Sequence, residues 1–151
     1  MEKEVNYEAL TKQARALVEG VPYVVANLAN LSALLWQSLP QINWVGFYKM
    51  EPEGLVLWPF QGKPACIRIP RGWGVCGRAA QEGKTVLVAD VHSFPGHIAC
   101  DSASQSEIVV PLWKDGKIWG VLDIDSPIQN RFTPQDQAGL EQLAAVVESV
   151  L

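Results

Sequence analysis

Apolar side chains recur every three to four positions near both ends of the chain and every two positions through its middle. Leu10, Ala14 and Leu17 form one helical stripe, with Asn6 placed to cap it and Gly20 to stop it, so residues 7–19 are predicted helical. Pro22 is expected to open a second helix, whose stripe of Val24, Leu28, Leu31 and Leu35 continues to Leu39 and Pro40. A last helix is expected from Thr133, where Thr-Pro-Gln-Asp supplies an N-cap, a proline at the first helical position and an acid in the first turn. It runs through Leu140, Leu143 and Val147 to Leu151.

After Pro40 the period falls to two. Ile42 to Met50, INWVGFYKM, and Leu55 to Phe60 flank a Glu-Pro-Glu-Gly turn and read as a hairpin. Alternation puts Trp44, Gly46 and Tyr48 on one face of its first strand and Val45 and Phe47 on the other. The aromatic face suits either a cavity wall or a second packed layer. A strand from Cys66 to Ile69 ends at Pro70, a short helix, VCGRAAQEG, lies between Gly74 and Gly83, and Thr85 to Val88 is a further strand. Residues 89–105, ADVHSFPGHIACDSASQ, form a long connection that mixes Phe94 and Ile98 with polar groups, a candidate lid folded back over the domain. Glu107 to Trp113 and Lys117 to Asp125 flank Asp115-Gly116, a strong hairpin signal. The order describes an α+β fold: a largely antiparallel five- or six-stranded sheet, with the N- and C-terminal helices on one face and the ligand-covering loop on the other.

Strict alternation in the last strand places Trp119, Val121, Asp123 and Asp125 on one face and Ile118, Gly120, Leu122 and Ile124 on the other. Glu107 and Val109 share a face opposite Ile108 and Val110, so Glu107 joins the two aspartates on the lid side if the apolar series meets the helices. Three enclosed acids repel one another and are costly to charge, so at least one is expected to hold a proton near neutral pH and to clamp a cation or donate that proton. The pattern equally allows Asp123 and Asp125 to end their strand in water, or to pair with Lys114, Lys117 or Arg131.

Composition narrows the functions. A chain of 151 residues with 48% apolar residues and a formal net charge of -4 suits one domain, residues 1–151. It has no basic block to neutralise a run of phosphates, so nucleic acid is not an expected partner. The opening MEKEVNYEALTKQARALVEG lacks an apolar signal core, and nowhere do ~18 apolar residues run together, so neither export nor membrane insertion is expected and the protein is assigned to the cytoplasm. In that reducing setting three cysteines make no disulfide framework. Cys100, in GHIACDSASQ, has polar neighbours quite unlike those of a structural buried thiol. Cys66, Cys76, Cys100, His92, His97 and the acids include zinc-ligand types, but cysteines ten and twenty-four apart (76 minus 66, 100 minus 76) lack the close pairs of ordinary structural zinc sites, and no metal is expected. Neither a phosphate-cradling glycine loop nor a dinucleotide fingerprint is present.

NWVGFY, PFQGKPACIRIPRGWGVCG, VADVHSFPGHIACDSASQSEIVVPL and IWGVLDIDS together resemble the free methionine-R-sulfoxide reductases, single GAF-domain enzymes, over nearly the whole chain. The resemblance implies a GAF-like fold and reduction of free, not protein-bound, R-methionine sulfoxide, with no bound cofactor and with electrons from thioredoxin and, indirectly, NADPH. It makes Cys100 the nucleophile that becomes a sulfenic acid, Cys66 the main resolving thiol, and Cys76 a third cysteine that resolves instead or relays the disulfide. It makes Glu107, Asp123 and Asp125 the acids that bind and protonate substrate, and Trp44 and Tyr48 the aromatic wall; the substrate carboxylate falls to backbone N–H groups of the lid. A homodimer is the family expectation. The competing readings are a non-catalytic GAF-type sensor that binds a small molecule and signals through its terminal helices, and a Cys/His metal site.

Overall fold

The computed structural model describes residues 4–97 and 103–151. Helices α1 (Tyr7–Val18) and α2 (Val24–Ser38) lead into the hairpin β1 (Trp44–Glu51) and β2 (Gly54–Gly62), then β3 (Arg68–Pro70) and α3 (Gly74–Glu82). Strand β4 (Val86–Val88), a 3-10 turn at Val91–Ser93, the hairpin β5 (Ser106–Lys114) and β6 (Lys117–Ser126), and α4 (Pro134–Glu148) complete the chain. The sheet has six strands in the order β3-β2-β1-β6-β5-β4, and every pairing is antiparallel. It is an α+β fold.

Each face of the sheet has its own apolar layer. Val45, Phe47, Ile108, Val110, Leu122 and Ile124 meet the stripes of α1, α2 and α4, as the alternating pattern requires. Trp44, Tyr48, Val109 and Val121 look the other way, against Val75, Cys76 and Ala79 of α3. The opposite face is therefore covered by α3, with Val91 and Phe94 of the connection after β4 packed in the same layer.

The terminal helices are joined by a buried polar knot. Asp136 accepts hydrogen bonds from the Tyr7 hydroxyl and from the backbone N–H and hydroxyl of Thr133, and pairs with Arg131 Nη1 at 3.1 Å. Thr133 and Asp136 thus form the capping box that starts α4. Beside it the Tyr7 ring fills the place a side chain at Gly139 would need.

Four sequence expectations are corrected. Pro22 does not open α2: Tyr23 is its N-cap, and the Asn27 amide donates to Val21 O at 2.9 Å, holding residues 21–22 outside the helix. Strand β1 begins at Trp44 rather than Ile42. The strand placed at Cys66 is shorter, since only Arg68, Ile69 and Pro70 pair with β2 and the Cys66 carbonyl instead accepts from the Tyr48 hydroxyl at 3.0 Å.

The fourth concerns Trp119, which alternation put beside the acids. Leu112 pairs with Gly120 and Trp113 with Ile118, so Trp119 is an extra residue on β6 and the facing pattern slips by one. Ile118 now lies with Val121 on the α3 side, while Trp119 packs with the helix-side core, edge-on to Trp58 at 5.3 Å. A matching irregularity in β2 pairs Gly46 with Phe60 but Tyr48 with Leu57. Neither bulge falls between Val121 and Asp125, and the spacing of the aspartates obeys the simple pattern.

Candidate active site

Two rows of residues running across the strands build the site. Glu107 of β5 stands opposite Asp125 of β6, and Asp125 opposite Trp44 of β1. One step along, Val109 stands opposite Asp123, and Asp123 opposite Gly46. Because Trp44, Glu107, Asp123 and Asp125 share the α3 face, the register alone brings three carboxylates from two strands together beside an indole.

Gly46 and Gly62 make room for that indole. A Cβ at Gly46 would lie 2.8 Å from Trp44 Cη2, and one at Gly62 2.7 Å from its Cδ1. The ring lies flat between Tyr48 and Phe60, stacked at centroid separations of 5.8 and 5.2 Å, and its Nε1 donates to Lys63 O at 3.2 Å. Tyr48, through its bond to the Cys66 carbonyl, ties this aromatic wall to the segment carrying Cys66.

Helix α3 closes the opposite side. It starts with Gly74, whose φ of 65° suits glycine, and places Val75 and Cys76 over the acids. Cys76 Sγ is 4.0 Å from Glu107 Oε2, and His97 Nε2 is 3.7 Å from Glu107 Oε1. The cavity enclosed holds about 40 Å³, room for a few waters only.

Burial dominates the electrostatics. Glu107, Asp123 and Cys76 are 6%, 5% and 4% exposed. Burial pushes the Asp123 carboxyl well above the usual range, and the Glu107 charge raises it further. Glu107 is raised by burial and then by Asp125, and the Cys76 thiol by burial and then by Asp123 and Glu107. The Tyr48 hydroxyl is pushed up by burial and by Asp123, while burial pulls the His97 imidazole down toward its neutral form. Each of these shifts favours the uncharged form of its group, and the cluster gains when a cation enters. The Asp123 carboxyl shares hydrogen bonds with Glu107 and Cys76, while its Oδ1 is buried with no partner of its own.

A GAF domain family model matches residues 10–151. The chain is 57% identical to "Protein YtsP" of Bacillus subtilis, over 99% of this chain and 93% of that one. It is 53% identical to the free methionine-R-sulfoxide reductase of Escherichia coli, over 100% of this chain and 92% of that one. The chain belongs to the free methionine-R-sulfoxide reductase family of GAF-domain proteins. A solved structure of the fRMsr of Staphylococcus aureus in complex with substrate superposes with a TM-score of 0.95 at 54% identity, covering 100% of this chain and 99% of that one.

Of the residues that the family resemblance names, Trp44, Tyr48, Cys76, Glu107, Asp123 and Asp125 border one cavity. Cys66 is disulfide-bonded and Cys76 is free. Cys100, like Ile98 of the lid, lies outside the described residues. His97, weighed from sequence only as a metal ligand, also lines the cavity, with Ser104 and the exposed Trp73. No periodic signal could have placed these three, because each sits in irregular backbone.

Proposed function

We propose that the protein reduces free L-methionine-(R)-sulfoxide to L-methionine. The observation that carries this reading is the row Glu107–Asp125–Trp44 with Asp123 beside it: buried acids able to take an ammonium and supply a proton, under an aromatic wall. The names of the relatives supply the substrate. The Cys100 thiolate attacks the sulfoxide sulfur, a proton goes to the oxygen, and that oxygen passes to Cys100 as methionine leaves, giving a sulfenic acid. Cys66 then condenses with the sulfenic acid, releasing water and forming a disulfide, and a thioredoxin dithiol restores both thiols at the cost of its own oxidation. The disulfide state of Cys66 supports its redox role, and Cys76 relays or resolves in its stead.

Trp44 and Tyr48 wall the methyl and side-chain end, while Glu107, Asp123 and Asp125 divide the ammonium contact and proton delivery among them. The chemistry requires Cys100 as a thiolate, so the disulfide is reduced before each turnover. A site that encloses its substrate admits no peptide chain, which is the basis of selectivity for the free amino acid. The protein works in the cytoplasm, with no bound cofactor, as a homodimer. Among the described residues no helix is long and apolar enough to cross a membrane.

The test is thioredoxin-coupled NADPH oxidation with each sulfoxide epimer, free and within a peptide. Oxidation is expected with the free R epimer alone. Cys100→Ser should abolish it, whereas Cys66→Ser should still release about one methionine per chain in a single turnover, since the first attack needs no second thiol. An undiminished rate in Cys100→Ser would remove the mechanism.

A further inference from the structure

Two large apolar side chains stand in solvent close to Cys66: Ile67 is 68% exposed and Trp73 60%. Fixed backbone presents both. Leu57 donates its N–H to Ile67 O at 2.9 Å, which carries the β2–β3 ladder one step beyond the Val56–Arg68 pair. Trp73 closes a turn in which its N–H donates to Pro70 O at 3.1 Å and Gly72 takes a φ of 75°. That turn sits directly on α3, since a Cβ at Gly77 would lie 2.8 Å from Gly72 C. Pro64, Ala65 and Trp73 border the same cavity, so the segment carrying Cys66 and the Trp73 turn frame one mouth. A single exposed apolar residue needs no explanation, whereas two of this size held rigidly around a reactive sulfur make a patch.

The sulfur chemistry says what must cover that patch. Cys66 is half-buried and disulfide-bonded, whereas Cys76 is free and only 4% exposed, beyond the reach of a macromolecule. A protein dithiol that reduces the Cys66 bond must bring its thiolate to within a bond length of sulfur, about 2 Å. The surface around its own cysteine is then pressed against the surface around Cys66. Charge narrows the partner further. Lys63, Arg68 and Arg71 are the charged residues of the stretch 61–74, and all three are exposed cations in a chain of net charge -4. An apolar dithiol face with an acidic rim is the complement.

We propose that Ile67 and Trp73, with Lys63, Arg68 and Arg71, form the surface on which the reducing protein docks, a dithiol protein of the thioredoxin class with acids around its active cysteines. The inference rests on the redox role proposed for Cys66. The partner's thiolate attacks Cys66 Sγ and displaces the other sulfur of the disulfide as a thiolate, leaving a mixed disulfide at Cys66. The partner's second thiolate then breaks that bond and releases Cys66. The two freed sulfurs take up the two protons that the dithiol gave up, and the partner leaves oxidised.

The test follows reduction of the preformed disulfide in the full-length protein by thioredoxin, with no sulfoxide present. Ile67→Ala and Trp73→Ala should each lower the second-order rate constant roughly 10-fold or more, the usual cost of truncating a central interface residue. Neither should slow dithiothreitol, a dithiol too small to need the patch. Unchanged thioredoxin rates, or equal losses with dithiothreitol, would overturn the proposal. Thioredoxin lacking its second active-site cysteine should be trapped as a mixed disulfide that peptide mapping places on Cys66, and a trap on another cysteine would refute it. The wild-type rate should fall as salt is raised, whereas a salt-independent rate would remove the acidic partner. If Ile67→Glu halves the mass seen by light scattering without slowing thioredoxin, the face belongs to a second copy of the chain instead. Reduction that needs the patch, in a protein inert toward methionine sulfoxide, leaves the docking surface standing and removes the substrate reading. Sulfoxide turnover with thioredoxin that is indifferent to both substitutions removes the docking surface alone.

Discussion

Trp44 and Asp125 face each other directly across the β1–β6 ladder, which puts the aromatic wall and the outermost acid of the cluster at opposite ends of one cross-strand step. A zwitterion spanning that step meets apolar surface at one end and negative charge at the other. Asp125→Asn keeps the shape and removes the charge. A charge-assisted hydrogen bond is worth about 1.5–3 kcal/mol, so KM for the free sulfoxide should rise roughly 10–100-fold with the fold intact. Steady-state kinetics with the native circular dichroism spectrum as control checks this, and an unchanged KM would take Asp125 out of substrate binding.

Asp123 carries a pH signature. Its folded-state pKa is raised above the unfolded value by burial and by Glu107. Between those two values the folded chain binds more protons than the unfolded one, so stability is greatest below the ordinary carboxylate pKa and is lost as pH rises toward the folded value. Asp123→Asn should flatten that decline and be relatively more stable than wild type at pH 8 than at pH 4. Urea midpoints across that range measure it, and a mutant gain that is larger in acid would contradict the assignment. Activity should fall in the same variant by about 10²-fold or more, the usual contribution of a positioned proton donor.

Tyr48→Phe removes a single hydroxyl whose partner is the Cys66 carbonyl. The expected loss of stability is about 1 kcal/mol. The larger effect should fall on the disulfide: the segment before β3 loses its tether to the aromatic wall, and oxidation of Cys66 after one substrate turnover should slow while methionine release does not. Rapid-quench measurement of free thiols separates the two steps.

Gly139→Ala looks favourable by helix propensity, which prefers alanine by about 1 kcal/mol. It should nevertheless destabilise, because the new methyl overlaps the Tyr7 ring at the crossing of α1 and α4. Asp136→Ala should cost more, about 3 kcal/mol or above, since it strands Arg131, whose side chain is only 9% exposed. Denaturant unfolding of both variants tests the order, and neither should change KM.

Much of this was legible before any coordinates. The stripe of Leu10 and Ala14, the Thr133 cap, the Asp115-Gly116 turn and the parity of Glu107 against Asp123 follow from local periodicity, and local periodicity is what the backbone obeyed there. Trp119 was misplaced because a bulge is an event of pairing: nothing in IWGV alone says that Trp113 will skip to Ile118. Pro22 does not start α2 because the Asn27 side-chain amide donates back to Val21 O and holds residues 21–22 outside the helix, a side-chain contact that a start signal does not encode. The closeness of Cys76 to the acids was equally hidden, since it depends on how α3 crosses the sheet.

The extra residue at Trp119 also divides β6 into two independently adjustable pieces. Insertions or deletions near the Asp115-Gly116 tip can be absorbed by the bulge without rotating Asp123 out of the cavity. One residue gained or lost between Val121 and Asp125 would exchange the carboxylates for Leu122 and Ile124 at the site while leaving the composition almost untouched. Length variation among natural sequences should therefore gather at the hairpin end of this strand and stop short of Val121.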